Sequence, residues 1–185
     1  MSRQLPPGQR WIEELIVYDI TPPPPLVLRH FRLRLCGAVA NPRELTWEEL
    51  LALPQAQVRA DLHCVEGWSV ANLLWEGVLG TTIAELVRPA PDVAWVLAHG
   101  RDGYTTNIPF AHFLKSDTLL AHSLQGKPLP PEHGWPLRLV VPSLYAWKSA
   151  KYVVALEFLR ELRRGYWEER GYHDVGDPWR QERRR

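Results

Sequence analysis

Cys64 is one of two cysteines in a chain of 185 residues, and its surroundings single it out. Val58, Ala60, Leu62 and Cys64 alternate with Arg59, Asp61 and His63. That is the period of a half-buried strand, and it puts the thiol on the apolar face at the strand's end, just before Gly67. A thiol presented there is either inert packing, the commoner fate of a free cysteine, or a nucleophile or metal ligand. Cys36 sits within an earlier strand, opposite the Phe31, Leu33 and Leu35 face, and reads as structural. A closed zinc site needs four ligands from compact motifs. None of the seven histidines pairs at helical spacing, and His63 points away from Cys64. A Cys–His hydrolase stays open, because His99 and His133 could meet Cys64 in space.

A second group of residues suits an anion. Arg138, Lys148 and Lys151 lie close together around the Pro142–Trp147 loop. Singly they read as surface charges; together they can clamp a cofactor that carries one phosphate. Neither a P-loop nor a dinucleotide-binding glycine pattern is present.

The elements that must position these groups are short. Phe31, Leu33 and Leu35 alternate with Arg32 and Arg34 in a first strand, and residues 58–64 form a second. Val93 to Ala98 is a continuous apolar run, fitting a buried strand, and residues 137–141 form another. Thr46-Trp-Glu-Glu49 predicts a capped helix that stops before Pro54, and Thr82-Ile-Ala-Glu85 a second that ends near Pro89. Asp102-Gly103 marks a turn. Lys151 to Leu162 fits strand or helix equally. Several short strands with only short helices between them predict an α+β domain rich in mixed or antiparallel sheet.

Composition narrows the function. With 22 basic and 21 acidic residues, the chain lacks the basic excess that nucleic acid requires. Seventeen prolines, many clustered, argue against an all-helical fold. No CxxC or CxxCH motif offers ligands for a haem or an iron–sulfur cluster. No apolar run is long enough to span a membrane, and the N-terminus has no signal-like apolar core. The expectation is a cytoplasmic protein with three parts: a Pro-rich lead-in over residues 1–26, one domain over 27–179, and a solvated basic tail over 180–185.

Several segments in order then carry a resemblance. Asp61-Leu-His-Cys-Val-Glu-Gly-Trp-Ser69, Trp75-Glu-Gly-Val78, Asp102-Gly-Tyr-Thr-Thr-Asn-Ile-Pro109 and Leu119-Leu-Ala121 come first. Gly126-Lys-Pro-Leu129, Glu132-His-Gly-Trp-Pro-Leu-Arg138, Val141-Pro142 and Lys148-Ser-Ala-Lys151 follow. Gly165-Tyr-Trp-Glu168 and Gly171-Tyr-His173 close the series. Together they resemble the small sulfite oxidase-like molybdopterin oxidoreductases over roughly residues 27 to 179.

The resemblance implies the α+β molybdopterin-binding fold of the sulfite oxidase type. It implies Cys64 as a molybdenum ligand beside one molybdopterin, with Glu66 near the metal to tune it or relay a proton. His133, Arg138, Ser149, Ala150 and Lys151 would hold the cofactor, Lys148 would assist at its phosphate, and His99 is grouped with them. Arg59 and Arg101 are the nominees for contact with substrate. The implied reaction is two-electron oxygen-atom transfer, reducing an S- or N-oxide or oxidising a sulfite-like anion, with an external electron carrier. A non-catalytic binding or assembly module on the same fold, and the Cys–His hydrolase, are the alternatives.

Overall fold

The computed structural model describes residues 4–185; the first three residues of the lead-in lie outside the described residues. In chain order the elements are β1 (Arg10–Ile12), β2 (Leu33–Gly37), β3 (Arg43–Leu45), α1 (Trp47–Ala52), β4 (Ala56–His63), β5 (Trp68–Leu79) and α2 (Gly80–Val87). They continue with β6 (Trp95–Gly100), β7 (Thr105–Pro109), α3 (Phe110–Phe113), β8 (Leu119–Leu124), β9 (Lys127–Pro128), β10 (Arg138–Val140), β11 (Val153–Leu159) and α4 (Tyr166–Glu169). Two sheets result, so the α+β expectation holds.

The first sheet has six strands. β5 pairs with β4, β1 and β8, while β8 also carries β10 and β9. The second has five, in the order β3-β2-β11-β6-β7. Only β1 with β5 and β2 with β11 run parallel. The ambiguous segment after Lys151 is therefore strand, the central β11 of the second sheet. Its alternation of buried Val153, Ala155 and Phe158 with half-exposed Val154, Glu157 and Leu159 shows why, once tertiary partners are present.

β8 and β10 are apolar on both faces because each face is covered. Leu120 and Leu139 point into one core with Leu33, Leu35, Val96 and Phe158 of the other sheet. Leu119, Ala121 and Val140 point into a second core with Val58, Ala60, Leu62, Cys64, Trp68 and Trp75. The second core ends at the thiol, and the functional site begins there.

The Thr46 capping box forms as the sequence predicts, with Thr46 Oγ1 accepting from Glu49 N and the Glu49 carboxylate accepting from Thr46 N. The Thr82 box does not form. The second helix starts earlier, at Gly80, with Leu79 as its cap residue and no side-chain cap. β5 runs straight into it, and Thr118 O takes the Gly80 amide at 2.9 Å. Gly80 is required there, since a Cβ would fall 2.2 Å from Phe113 O.

The two chain ends depart furthest from expectation. Residues of the lead-in join the first sheet through β1. The segment over 180–185 has Arg180, Gln181, Arg184 and Arg185 exposed, as a solvated tail would, but it is tied to the domain: Arg183 is half-buried and donates to Val65 O, and Arg185 N donates to Gly171 O at 3.1 Å.

Candidate functional site

A cavity of about 310 Å³ opens beside Cys64. Its lining brings together Cys64 and Glu66 from the turn after β4, His133 and Arg138 around β10, and Ser149, Ala150 and Lys151 from the loop before β11. Seven of the sequence-nominated residues thus meet in one place.

Cys64 is buried, and burial pushes its thiol up to about 11. Its backbone is tied down by Cys64 N donating to Trp68 O at 2.8 Å and Gly67 N donating to Cys64 O at 3.1 Å. Glu66 is exposed at the rim. His133, in the 3-10 turn Pro131–His133, is half-buried. Burial, then the Arg138 guanidinium, lowers its pKa.

Arg138 has its guanidinium 5.6 Å from the centre of the Trp75 ring. Its Nη1 donates to His133 O at 3.3 Å, and its Nε is buried with no hydrogen-bond partner among the described residues. A buried, under-paired cation on a cavity-lining side chain is costly unless a nearby anion offsets it. Burial lowers its pKa to about 10, which still leaves it charged at neutral pH. Lys151 reaches the same cavity, donating to Glu132 O at 3.0 Å and pairing with Asp19 at 2.5 Å. Gly134, at φ +112°, lets the two cations approach: a Cβ there would press on Lys151 Cβ at 3.1 Å and on Arg138 Cβ at 3.2 Å. Ser149 Oγ accepts from Val141 N at 3.0 Å, and Ala150 O from Leu139 N at 2.8 Å, so the loop beneath the cations is fixed.

Four nominees lie elsewhere. Lys148 is fully buried, and its ammonium is spent on Glu168 Oε1 at 2.7 Å, Asn107 O at 2.8 Å and Asp174 O at 2.8 Å. An ammonium has three donors, so none remains for a phosphate. His99 does not line the cavity; it meets Glu157 at 3.2 Å on the sheet face away from the core that holds Val96 and Ala98. Arg59 is exposed on the face of β4 opposite to Cys64. Arg101 donates to Pro24 O and is likewise absent from the lining.

The sequence reading missed one wall. Residues 15–20 of the lead-in cross the cavity, Tyr18 stacking on Trp68 with ring centres 6.4 Å apart. Trp147, Trp167 and Tyr172 complete the lining. The apolar run Leu15-Ile-Val-Tyr18 was the available signal, but surrounding prolines masked it.

The family described as oxidoreductase molybdopterin binding domain matches residues 21–167. The chain belongs to this family. An uncharacterized oxidoreductase, YuiH of Bacillus subtilis (strain 168), is 42% identical over 83% of this chain and 77% of its own length. The protein-methionine-sulfoxide reductase catalytic subunit MsrP of Xanthomonas campestris pv. campestris is 34% identical over 77% of this chain. The chain spans about half of that relative's length, 49%. Among solved structures, the sulfane dehydrogenase SoxCD from Paracoccus pantotrophus superposes with a TM-score of 0.66 at 25% identity, covering 74% of this chain and 40% of that one. The chain is thus a molybdopterin-binding oxidoreductase by family, and its two sheets follow the sulfite oxidase-type arrangement. No helix among the described residues is long and apolar enough to cross a membrane.

The residues present fit the family's cofactor. The cavity is of small-molecule size. Its buried Arg138 lacks a partner on Nε, and Lys151 stands beside it over a glycine that makes room.

Proposed function

We propose that this chain is a molybdenum–molybdopterin oxidoreductase that reduces an S- or N-oxide by two-electron oxygen-atom transfer, drawing electrons from a separate carrier. The observation that carries this reading is the convergence of Cys64, Arg138 and Lys151 on one cavity. When bound, the cofactor supplies the oxygen-transfer chemistry. The chain's residues do the rest. Cys64 would hold the metal through its sulfur as thiolate, giving up the proton that burial otherwise favours there. Among the described residues no three of His, Cys, Asp and Glu converge, and Cys64 would be the chain's own ligand to the group. Arg138 and Lys151 bind the cofactor's anionic group, with His133, Ser149 and Ala150 forming the wall around it. Glu66, at the rim, holds or passes a proton on the substrate side.

Oxide reduction is favoured over oxidation of a sulfite-like anion. The relatives include proteins named methionine sulfoxide reductase, and neither Arg59 nor Arg101 lines the cavity to bind an oxyanion. A cytoplasmic location, where Cys36 and Cys64 would both stay reduced, is part of this proposal. A Cys–His hydrolase would need its thiol pKa lowered, whereas burial raises that of Cys64.

The test is purification from a molybdenum-replete host, with elemental analysis and oxidised-pterin fluorescence. A stoichiometric metal-to-protein ratio is expected, together with turnover of dimethyl sulfoxide or methionine sulfoxide by reduced viologen. NADH or NADPH alone should not support turnover. Cys64→Ser should abolish turnover while the circular dichroism spectrum stays native. Wild-type rates in that variant, or a wild-type protein free of molybdenum, would overturn the reading.

A further inference from the structure

The turn that presents Cys64 is gripped by two segments far from it in sequence. From the lead-in, Gln9 Nε2 donates to Cys64 O at 3.0 Å, and Arg10 N donates to Gly67 O at 2.9 Å. Gln9 is itself held: Ser69 Oγ donates to its Oε1 at 3.0 Å, and His63 Nδ1 meets Ser69 Oγ at 2.8 Å. Since the Ser69 hydroxyl proton is used on Gln9, His63 donates to Ser69 from Nδ1, which fixes its tautomer. From the other end, Arg183 donates to Val65 O and lies over the Tyr145 ring, 5.4 Å from its centre. Gly67 takes φ +90°, and a Cβ on it would come within 3.1 Å of Gly8 O. The turn is therefore shaped to receive the lead-in.

The Gln9 and Arg183 bonds fall on consecutive carbonyls, those of Cys64 and Val65. They hold the two peptide planes that follow Cys64, and Cys64 N donating to Trp68 O holds the plane before it, so the direction of the Cys64 Cα–Cβ bond is fixed. We infer that Gln9 and Arg183 are positioning residues that set the orientation of the Cys64 sulfur toward the metal; this rests on the proposed function. The chain His63–Ser69–Gln9 keeps the first of them in place. Neither residue lines the cavity, so neither is a contact of substrate or cofactor.

Loaded wild-type protein is compared with Gln9→Glu, which keeps the shape and the acceptor for Ser69 but loses the donor to Cys64 O. Arg183→Met, which keeps the aliphatic stem but removes the guanidinium that donates to Val65 O and lies over Tyr145, and the control Arg160→Met, at an exposed pair with Asp92, complete the set. The readouts are the molybdenum-to-protein ratio and the electron paramagnetic resonance spectrum of half-reduced protein, which reports the sulfur's orientation. Expected are an unchanged ratio, shifted g-values in Gln9→Glu and Arg183→Met, and a wild-type spectrum in the control. Turnover per bound molybdenum should fall about tenfold, on the order of the effect of misplacing reacting groups. If either variant fails to fold, Ser69→Ala decides, because it loosens Gln9 while leaving both segments in place. Wild-type spectra in the folded variants would overturn the inference, as would lost occupancy with a wild-type spectrum in the molecules that load. A wild-type protein without molybdenum would overturn the proposed function itself, and this inference with it.

Discussion

Lys148 and Lys151 stand on one loop, three positions apart, and meet opposite fates. The Lys148 side chain has no solvent exposure, nor has that of its partner Glu168, which also accepts from Thr106 Oγ1 and Trp147 Nε1, both at 2.8 Å. Every donor of Lys148 is used inside the protein. Lys151 faces the cavity, where one of its partners is a carboxylate from the lead-in that another anion can replace. Residue type and proximity to a motif do not separate a structural cation from a binding one. The count of unspent donors does.

Breaking the buried pair should give the largest effect. Lys148→Met leaves the Glu168 carboxylate sealed from water without its cation, and losses of this kind run to about 3–5 kcal/mol. Urea unfolding of the cofactor-free variant should show it. If the loss is under about 1 kcal/mol, Lys148 is not the structural member of the two.

Arg138→Ala should have the reverse profile. Charge-assisted bonds to the cofactor contribute roughly 1.5–3 kcal/mol each, so affinity should fall about tenfold to a hundredfold. The cofactor-free protein should lose less stability than Lys148→Met, because Arg138 gives up one long hydrogen bond to His133 O and leaves no buried carboxylate unpaired. The measurement is pterin retained after dialysis, set against the rate per bound molybdenum. Full retention with a lost rate would make Arg138 a substrate residue instead.

Acid should weaken both regions more gradually. His63, His99, His112, His122 and His133 all have lowered pKa values, burial being the largest cause in each. Each therefore binds its proton less readily when folded than when unfolded. The stability this linkage contributes is complete above the unfolded value of about 6.5, and is lost as pH falls through the lower folded values. The carboxylates of Glu157 and Asp174, held low by Arg163 and Arg164, add a further loss at more acidic pH. Thermal midpoints should thus be lower at pH 5.5 than at pH 7.5. His133→Gln should flatten part of that slope if the cavity wall contributes to it; an unchanged slope would confine the effect to the other four histidines.

Much of this was legible in the sequence where a pattern is local. Alternation over residues 58–64 located β4 and the face of Cys64, and the Thr46 box located α1. β5 was not legible. Gly77 and the polar Asn72 and Glu76 interrupt its pattern, and its length comes from three partner strands that only the fold supplies. That Arg138 and Lys151 would line one cavity was recoverable from motif order, because the motif reports which residues share a loop. The place of Lys148 was not, because its burial depends on Glu168 and Asp174 arriving from a distant segment. The same holds for Gln9 and Arg183. Hydrogen bonds to backbone carbonyls leave no trace in residue pattern, and a run of three arginines looks like a solvated end.

The smallest effect on stability should come from Asp19→Asn, and it tests the replaceable half of the comparison most finely. The Asp19 and Lys151 side chains are 28% and 14% exposed, so the pair is partly buried but not sealed as Lys148 and Glu168 are. Urea unfolding should register a smaller loss than for Lys148→Met. Cofactor binding should register the change in the opposite direction to Arg138→Ala. Asp19 now neutralises Lys151, and the Tyr152 hydroxyl also donates to it at 3.2 Å, so an incoming anion must displace a carboxylate. Without that competitor, retained pterin should rise several-fold at neutral pH. Burial lowers the pKa of Lys151, and Asp19 is the main group raising it again. The asparagine variant should therefore lose its gain sooner than wild type as pH increases, once the lysine is no longer held in its charged form. A higher affinity that fades with rising pH would identify Asp19 as a placeholder for the cofactor's anion. A lower affinity at every pH would identify it as a cofactor contact, with Lys151 its anchor.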